Sequence, residues 1–80
     1  MQLTGKMLKS ARILLELEQR DIVVLTELSI TTIRRMESDS TKVKGARGNV
    51  LLYKRALEER GIEFFENEKG KGILLKNKEK

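Results

Sequence analysis

Residues 19–38 form the stretch QRDIVVLTELSITTIRRMES. Its apolar residues recur three and four positions apart, which is the period of a helix with one buried face. The pattern is interrupted before Ser29, a good N-cap residue from which a new helix can begin. We therefore expect two short helices joined by a tight turn, the second covering about 29–37 with Ile33 and Met36 facing inward.

The flanking sequence predicts two further helices. Thr4 is placed to cap a first helix over about 5–16, and a fourth helix is expected over about 49–60. Gly61 fits the left-handed C-cap that commonly ends a helix. The inward positions of the second and fourth helices are expected at Ile22, Val23, Leu25, Val50, Leu52, Tyr53, Ala56 and Leu57.

After Gly61 the pattern changes to a period of two. Residues 62–66 are typical of a strand, 67–72 of a turn and 73–76 of a returning strand. An isolated two-stranded hairpin is marginal in water, so this one must pack on the helices or pair with another chain. The predicted fold class is mainly α, a bundle of about four helices followed by a C-terminal two-stranded β-hairpin.

The composition excludes several classes of protein. The chain has 80 residues, enough for one domain, and contains no Cys and no His. A zinc finger, a disulfide framework and a hydrolase based on Ser–His–Asp or Cys–His are therefore excluded. We expect no enzyme, no cofactor and no metal. No apolar run is long enough to span a membrane and we expect no signal peptide, so the cytoplasm is the expected compartment.

The net charge of +5 is unevenly distributed. Residues 29–48 hold five basic and two acidic side chains, a balance of +3, and residues 69–80 hold five lysines and one glutamate, a balance of +4. A lysine-rich end is usually solvated, and residues 77–80 are expected to be a basic tail. A basic stretch that includes a helix is instead typical of phosphate binding.

Residues 19–38 resemble the helix-turn-helix of the Xre family of Cro/repressor-type regulators. Upstream, Ala11 and Arg12 fall where that family has a Leu-Arg pair, and downstream 56–58 and 61–64 resemble small members with an extra helix and a hairpin. The positions that match in register within the core are Gln19, Ile22, Leu28, Ser29, Thr32, Ile33 and Glu37.

The resemblance implies a lambda-repressor-like bundle in a single domain over 1–80. Its helix-turn-helix core and loop would occupy about 4–48, with the fourth helix and hairpin over about 49–76. It implies a bacterial or phage-encoded regulator, expected to repress, that binds double-stranded DNA as a homodimer on a palindromic operator. Such a protein is nucleoid-associated when it is bound to DNA.

With Ile33 and Met36 inward, the third helix turns Ile30, Thr31, Arg34 and Arg35 outward. Guanidinium groups can grip guanine O6 and N7, and an aliphatic group suits the thymine methyl. The alternative is that Ile30 packs on a neighbouring helix and that both arginines are solvated. By resemblance the start of the second helix meets a phosphate. The complete expected DNA-binding set is Gln19, Ser29, Ile30, Thr31, Thr32, Arg34, Arg35, Ser38, Lys42 and Lys44.

Two further features follow from the family pattern. Arg12 and Glu37 match a pair that joins the first helix to the end of the third, and we expect a structural ion pair between them. Glu27 stands where the family usually has glycine in the turn, a place that often needs a positive φ. This departure from the pattern concerns the geometry of the turn.

The hairpin is the candidate dimer interface. Ile62 and Phe64 share one face of the first strand and Phe65 lies on the other, so we expect packing on the chain's own helices to leave one face uncovered. The alternative is a monomer whose hairpin covers the fourth helix. The interface residues expected from the pattern are Ile62, Phe64, Phe65, Ile73 and Leu75.

A second function stays open at this point. A helix-turn-helix can serve protein contact, as in an adaptor or an antitoxin whose tail binds a partner protein. Arg34 and Arg35 disfavour that alternative, because two outward guanidiniums suit nucleic acid better. An enzyme based on carboxylates alone is disfavoured further, since its candidate pairs, Glu58-Glu59 and Glu66/Glu68, are ordinary solvated charges. Gly5-Lys6 also lacks the surrounding residues of a phosphate-binding loop.

Overall fold

The computed structural model describes residues 2–38 and 47–77, which fold as helices followed by a hairpin. The expected mainly α class with a short C-terminal β-hairpin is confirmed. Within the described ranges, no helix has the length and apolar character needed to cross a membrane. The elements are α1 (Gly5–Leu14), α2 (Gln19–Thr26), α3 (Ile30–Glu37), α4 (Arg47–Glu58), β1 (Ile62–Asn67) and β2 (Gly70–Leu75).

The helix starts follow the capping residues that the sequence offers. The Thr4 hydroxyl accepts a hydrogen bond from the Met7 N–H at 3.1 Å, and the Ser29 hydroxyl accepts one from the Thr32 N–H at 3.1 Å. Each bond satisfies an amide that the first turn leaves without a helical partner. Both predicted caps are thus confirmed.

The helix ends differ from the sequence expectation by two residues. α1 stops at Leu14 rather than 16, because Glu16 adopts a left-handed conformation with φ 61°. α4 ends at Glu58, and Gly61 follows with φ 100°, which turns the chain into β1. A Cβ at that glycine would lie 3.3 Å from Leu75 Cδ1, so the small residue also permits close packing.

The turn between α2 and α3 uses Glu27 in the left-handed conformation, with φ 62° and ψ 19°. Its N–H donates to the Val23 carbonyl at 2.7 Å, which closes the end of α2. This is the geometry for which glycine is usually selected. Glu27 therefore differs from the usual glycine in residue type, while its backbone has the positive φ that the pattern implies.

The core lies where the helices meet the helix-facing side of the hairpin. α1 packs on α3, α4 and β2, and α2 packs on α3 and α4. Leu25 and Leu52, which we expected to be buried, are exposed, since each lies at the margin of the face that its helix turns inward. The fully buried large side chains are Leu8, Ile22, Ile33, Met36, Tyr53, Leu57 and Ile62.

The hairpin is antiparallel, with Ile62 opposite Leu75 and Asn67 opposite Gly70. β2 begins three residues earlier than the pattern suggested, because Asn67 Oδ1 accepts the Lys69 N–H at 2.8 Å and tightens the turn to two residues. Residues in these strands alternate between a helix-facing side and an outer side.

One expected interface residue is corrected by this arrangement. Ile62 is 1 % exposed and belongs to the chain's own core, while Phe64 and Ile73 on the same side pack against that core. Phe65 lies on the outer side, where its ring covers Gly72. The hairpin therefore uses its inner side for folding, which strand alternation alone could not decide.

Candidate nucleic-acid interface

The outward side of α3 carries an exposed hydroxyl and two exposed guanidiniums. Ile33 and Met36 are completely buried on its inner side. Thr31, Arg34 and Arg35 are exposed on the opposite side. Two buried anchors one turn apart fix the rotation of the helix about its axis. The direction in which the arginines leave the protein is therefore set by the core.

The first turn of α3 combines capping with partial exposure. Ser29 is exposed, and its hydroxyl also donates to Thr32 Oγ1 at 2.9 Å. Ile30 and Thr32 are half-buried. The structure thus places Ile30 between the two interpretations, with part of its side chain packed on the protein and part available at the surface.

The residues expected to follow α3 are only partly described. Ser38 is exposed and its hydroxyl donates to the Arg35 carbonyl at 2.8 Å. Lys42 and Lys44, which we expect to contact phosphates, lie outside the described residues. The described part of the expected site is therefore the face of α3 together with the start of α2.

A buried network fixes the end of α3. The Glu37 carboxylate accepts hydrogen bonds from Arg12 Nε at 2.9 Å, Arg12 Nη2 at 3.0 Å, and Gln19 Nε2 at 3.0 Å, as well as from the Tyr53 hydroxyl. Arg12 and Glu37 are each 8 % exposed. One carboxylate thus joins all four helices, and the expected ion pair is present.

The network shifts the pKa values of its members. Burial by itself would raise the pKa of Glu37, but the hydrogen bonds from Arg12, Tyr53 and Gln19 outweigh it and hold that pKa below its ordinary value. Burial, followed by the hydrogen bond to the carboxylate, raises the pKa of Tyr53. The hydrogen bond to Glu37 raises the pKa of Arg12 against the effect of burial. The charged pair and the neutral phenol are therefore the stable forms.

The start of α2 is structured by polar contacts within the chain. The side-chain amide of Gln19 donates one hydrogen bond to the Glu37 carboxylate. The Glu18 N–H donates to Asp21 Oδ2 at 2.7 Å, and the Glu18 carboxylate accepts from Arg20 Nε at 2.9 Å. Two acidic side chains thus lie at the helix start where the resemblance places a phosphate.

Sequence reasoning missed two members of the network. Helical spacing predicts only that Tyr53 lies on the apolar face of the fourth helix, whereas its hydroxyl also donates to Glu37. The Leu17 carbonyl, which accepts from Arg12 Nη1 at 2.9 Å, was also missed. A signal for the tyrosine existed, since a buried phenol normally has a hydrogen-bond partner, and Arg12 and Glu37 had already been paired.

The exposed groups of this face are hydrogen-bond donors and hydroxyls. Arginine presents five N–H donors in a planar fork that suits guanine and phosphate oxygens. In the part of the chain that the structure describes, no three Asp, Glu, His or Cys side chains cluster in a way that could hold a metal ion. The chemistry offered on α3 is that of polar recognition.

Comparisons with protein-family models, with curated proteins and with solved structures found no match. The resemblance of residues 19–38 to the Xre family rests on the residues quoted above, and membership of that family stays a prediction. A fold by itself does not determine function, so the evidence for function lies in the site.

Proposed function

We propose that this chain is a sequence-specific double-stranded DNA-binding transcriptional regulator, a repressor that occupies its operator. α3 would lie in the major groove, with α2 crossing the backbone beside it. The observation that carries the proposal is the pair of exposed guanidiniums, Arg34 and Arg35, on a helix whose other side is fixed in the core.

The dimensions of α3 suit this role. An α-helix with its side chains is about 10–12 Å across, and the major groove of B-DNA is about 12 Å wide. Thr31, near the N-terminal end of α3, offers a hydroxyl, and the exposed part of Ile30 offers an apolar contact for a thymine methyl. In this proposal Arg34 and Arg35 bind guanine edges or adjacent phosphates, and Ser29 and Thr32 support the first turn.

The phosphate contacts would come from both sides of α3. Ser38, Lys42 and Lys44 follow the helix, and Gln19 begins α2. The Gln19 side chain donates to Glu37, so we assign the phosphate contact to the backbone N–H of Gln19. Such contacts position the protein and supply no sequence information.

The proposal includes a homodimer on a palindromic operator. Two-fold DNA sites require a two-fold protein, because each half-site is read by one copy of α3. The hairpin supports a dimer through the apolar side chains that it leaves exposed, Leu74 and Leu75.

The experiment is the selection of bound duplexes from a random DNA pool. We expect the wild type to enrich a palindromic motif, and Arg34→Ala and Arg35→Ala to relax it at separate positions. Arg55→Ala is the matched control, since Arg55 is an exposed arginine on α4 rather than α3. Enrichment of no motif, with only weak salt-sensitive binding, would overturn the proposal and favour a protein-contact role.

A further inference from the structure

An apolar groove lies where the end of α1, the segment that follows α4 and the end of β2 meet. Its volume is about 340 Å³. None of its residues belongs to α3, so the groove is separate from the proposed DNA-reading face. Six residues line it: Leu14, Leu15, Glu16, Leu17, Arg60 and Leu75.

The walls of the groove are exposed leucines. Leu14 is 45 % exposed and Leu75 is 42 % exposed, while Leu15 and Leu17 are half-buried below them and pack on the core. Contiguous exposed apolar surface is unfavourable in water and typical of interaction sites. Leu75 also belongs to the hairpin, so the groove continues the surface from which a dimer was expected.

Hydrogen bonds fix the backbone of the segment after α1 that lines the groove. The Leu17 N–H donates to the Arg12 carbonyl at 3.1 Å, and the Leu17 carbonyl accepts from Arg12 Nη1. The Glu16 N–H donates to the Ile13 carbonyl at 2.8 Å. Through Arg12, this segment is connected to the Arg12–Glu37 pair.

The charges at the rim make the groove complementary to itself. Glu16 and Arg60 both line it and both are exposed. Arg60 Nη1 donates to the Ala56 carbonyl at 3.1 Å, which holds the guanidinium in place while its other N–H groups can bind a carboxylate. In a two-fold dimer, if residue i of one copy contacts residue j of the other, then residue j of the first copy contacts residue i of the second. An acid and a base on the same surface can therefore form two equivalent ion pairs between the copies.

We propose that this groove binds the same groove of a second copy of the chain. The leucines of the two copies would pack together, with Glu16 of each copy paired to Arg60 of the other. The inference rests on the proposed homodimer and names its surface, which includes no residue of α3. Of the interface residues expected from the sequence it keeps Leu75, and it adds the end of α1 and Arg60.

The test is an exchange of charges, with association measured by sedimentation velocity. Glu16→Lys and Arg60→Glu each place like charges across the interface, so each variant alone should dimerise at least about tenfold more weakly than the wild type. Mixed in equal amounts they restore both pairs, and the mixture should dimerise with wild-type affinity. Glu16→Lys keeps a non-glycine residue at a positive φ, and circular dichroism verifies that each variant is folded.

A second pair of variants tests whether the leucines of the groove contribute to dimerisation. Leu14→Lys should weaken dimerisation at least about tenfold because it places a charge among the leucines. Val24→Lys is the matched control, since Val24 is 77 % exposed on α2 and outside the groove, and it should dimerise like the wild type.

Three results would overturn the proposal: a wild type that is monomeric at high micromolar concentration, a mixture that stays monomeric, or equal effects of Leu14→Lys and Val24→Lys. A monomeric wild type would also overturn the homodimer part of the proposed function. DNA reading by α3 is tested separately, because selection from a random pool can still enrich a half-site.

Discussion

Arg12 on α1 and Glu37, the last residue of α3, form a two-pronged ion pair, with Nε 2.9 Å from Oε2 and Nη2 3.0 Å from Oε1. Because Tyr53 and Gln19 donate to the same carboxylate, the end of α3 is tied to α1, α2 and α4 together. The direction of Arg34 and Arg35, three and two residues before Glu37, depends on this connection.

Glu37→Ala should destabilise the protein by about 3–5 kcal/mol, because it leaves the Arg12 guanidinium buried without its counter-charge. Chemical denaturation at low temperature measures the change. Arg34→Ala is the control, and as an exposed substitution it should stay within about 0.5 kcal/mol of the wild type. Equal stabilities of the two variants would contradict the assigned role of the pair.

Tyr53→Phe removes one donor to a buried carboxylate and should cost about 1.5–3 kcal/mol. The pKa of Tyr53 is raised on folding, so its stabilising contribution is complete below the unfolded value of about 10 and is lost as the pH rises above it. The difference in unfolding free energy between wild type and Tyr53→Phe should therefore shrink above about pH 10. The range from about pH 8 to about pH 11 brackets the unfolded pKa of tyrosine. If the difference in unfolding free energy between the two proteins stays constant over this range, the contact is contradicted.

The stabilising contribution of Glu37 should be lost at acid pH, whereas that of Tyr53 is lost at alkaline pH. The pKa of Glu37 is lowered on folding, so its contribution is present above the unfolded value of about 4.3 and is lost as the pH falls below it. In the wild type, stability should fall on acidification, and in Glu37→Gln this part of the fall should be missing. Denaturation curves recorded at a series of acid pH values test this, and parallel profiles for the two proteins would contradict it.

Glu27→Gly should stabilise the protein by about 0.5–1 kcal/mol, since the left-handed strain of about 1–2 kcal/mol is partly offset by the greater freedom of glycine when unfolded. Glu27→Gln is the matched control, because it removes the same charge and keeps the strain. Thermal melting compares the three proteins. A melting temperature for Glu27→Gly no higher than that of Glu27→Gln would contradict the argument.

The sequence predicts local chemistry well in this protein. The caps at Thr4 and Ser29 and the left-handed Gly61 follow from residues within a few positions of each other. The inward residues Ile33 and Met36 follow from helical spacing. Glu16 and its positive φ did not follow from the sequence, because nothing local favours a glutamate in that conformation.

The sequence predicts long-range partners only where a known pattern supplies them. The Arg12–Glu37 pair came from the family pattern, while the Tyr53 hydroxyl lies 16 residues from Glu37 and required the packing of α4. The alternation of side chains along β1 predicts which residues share a face. It does not predict whether the chain's own helices or a partner cover Ile62. The groove joins side chains from opposite ends of the sequence, Leu14 and Leu75, and no local pattern brings them together.

The central claim is that the exposed face of α3 reads DNA. The most direct measurement is the affinity of the wild type for a selected duplex and for a scrambled duplex at one fixed salt concentration, repeated with Arg34→Ala, Arg35→Ala and the control Arg55→Ala. We predict a preference of about a thousandfold or more for the selected duplex. Each α3 variant should reduce this preference about tenfold or more, with no change for the control. Equal affinities of the wild type for the two duplexes would contradict the claim.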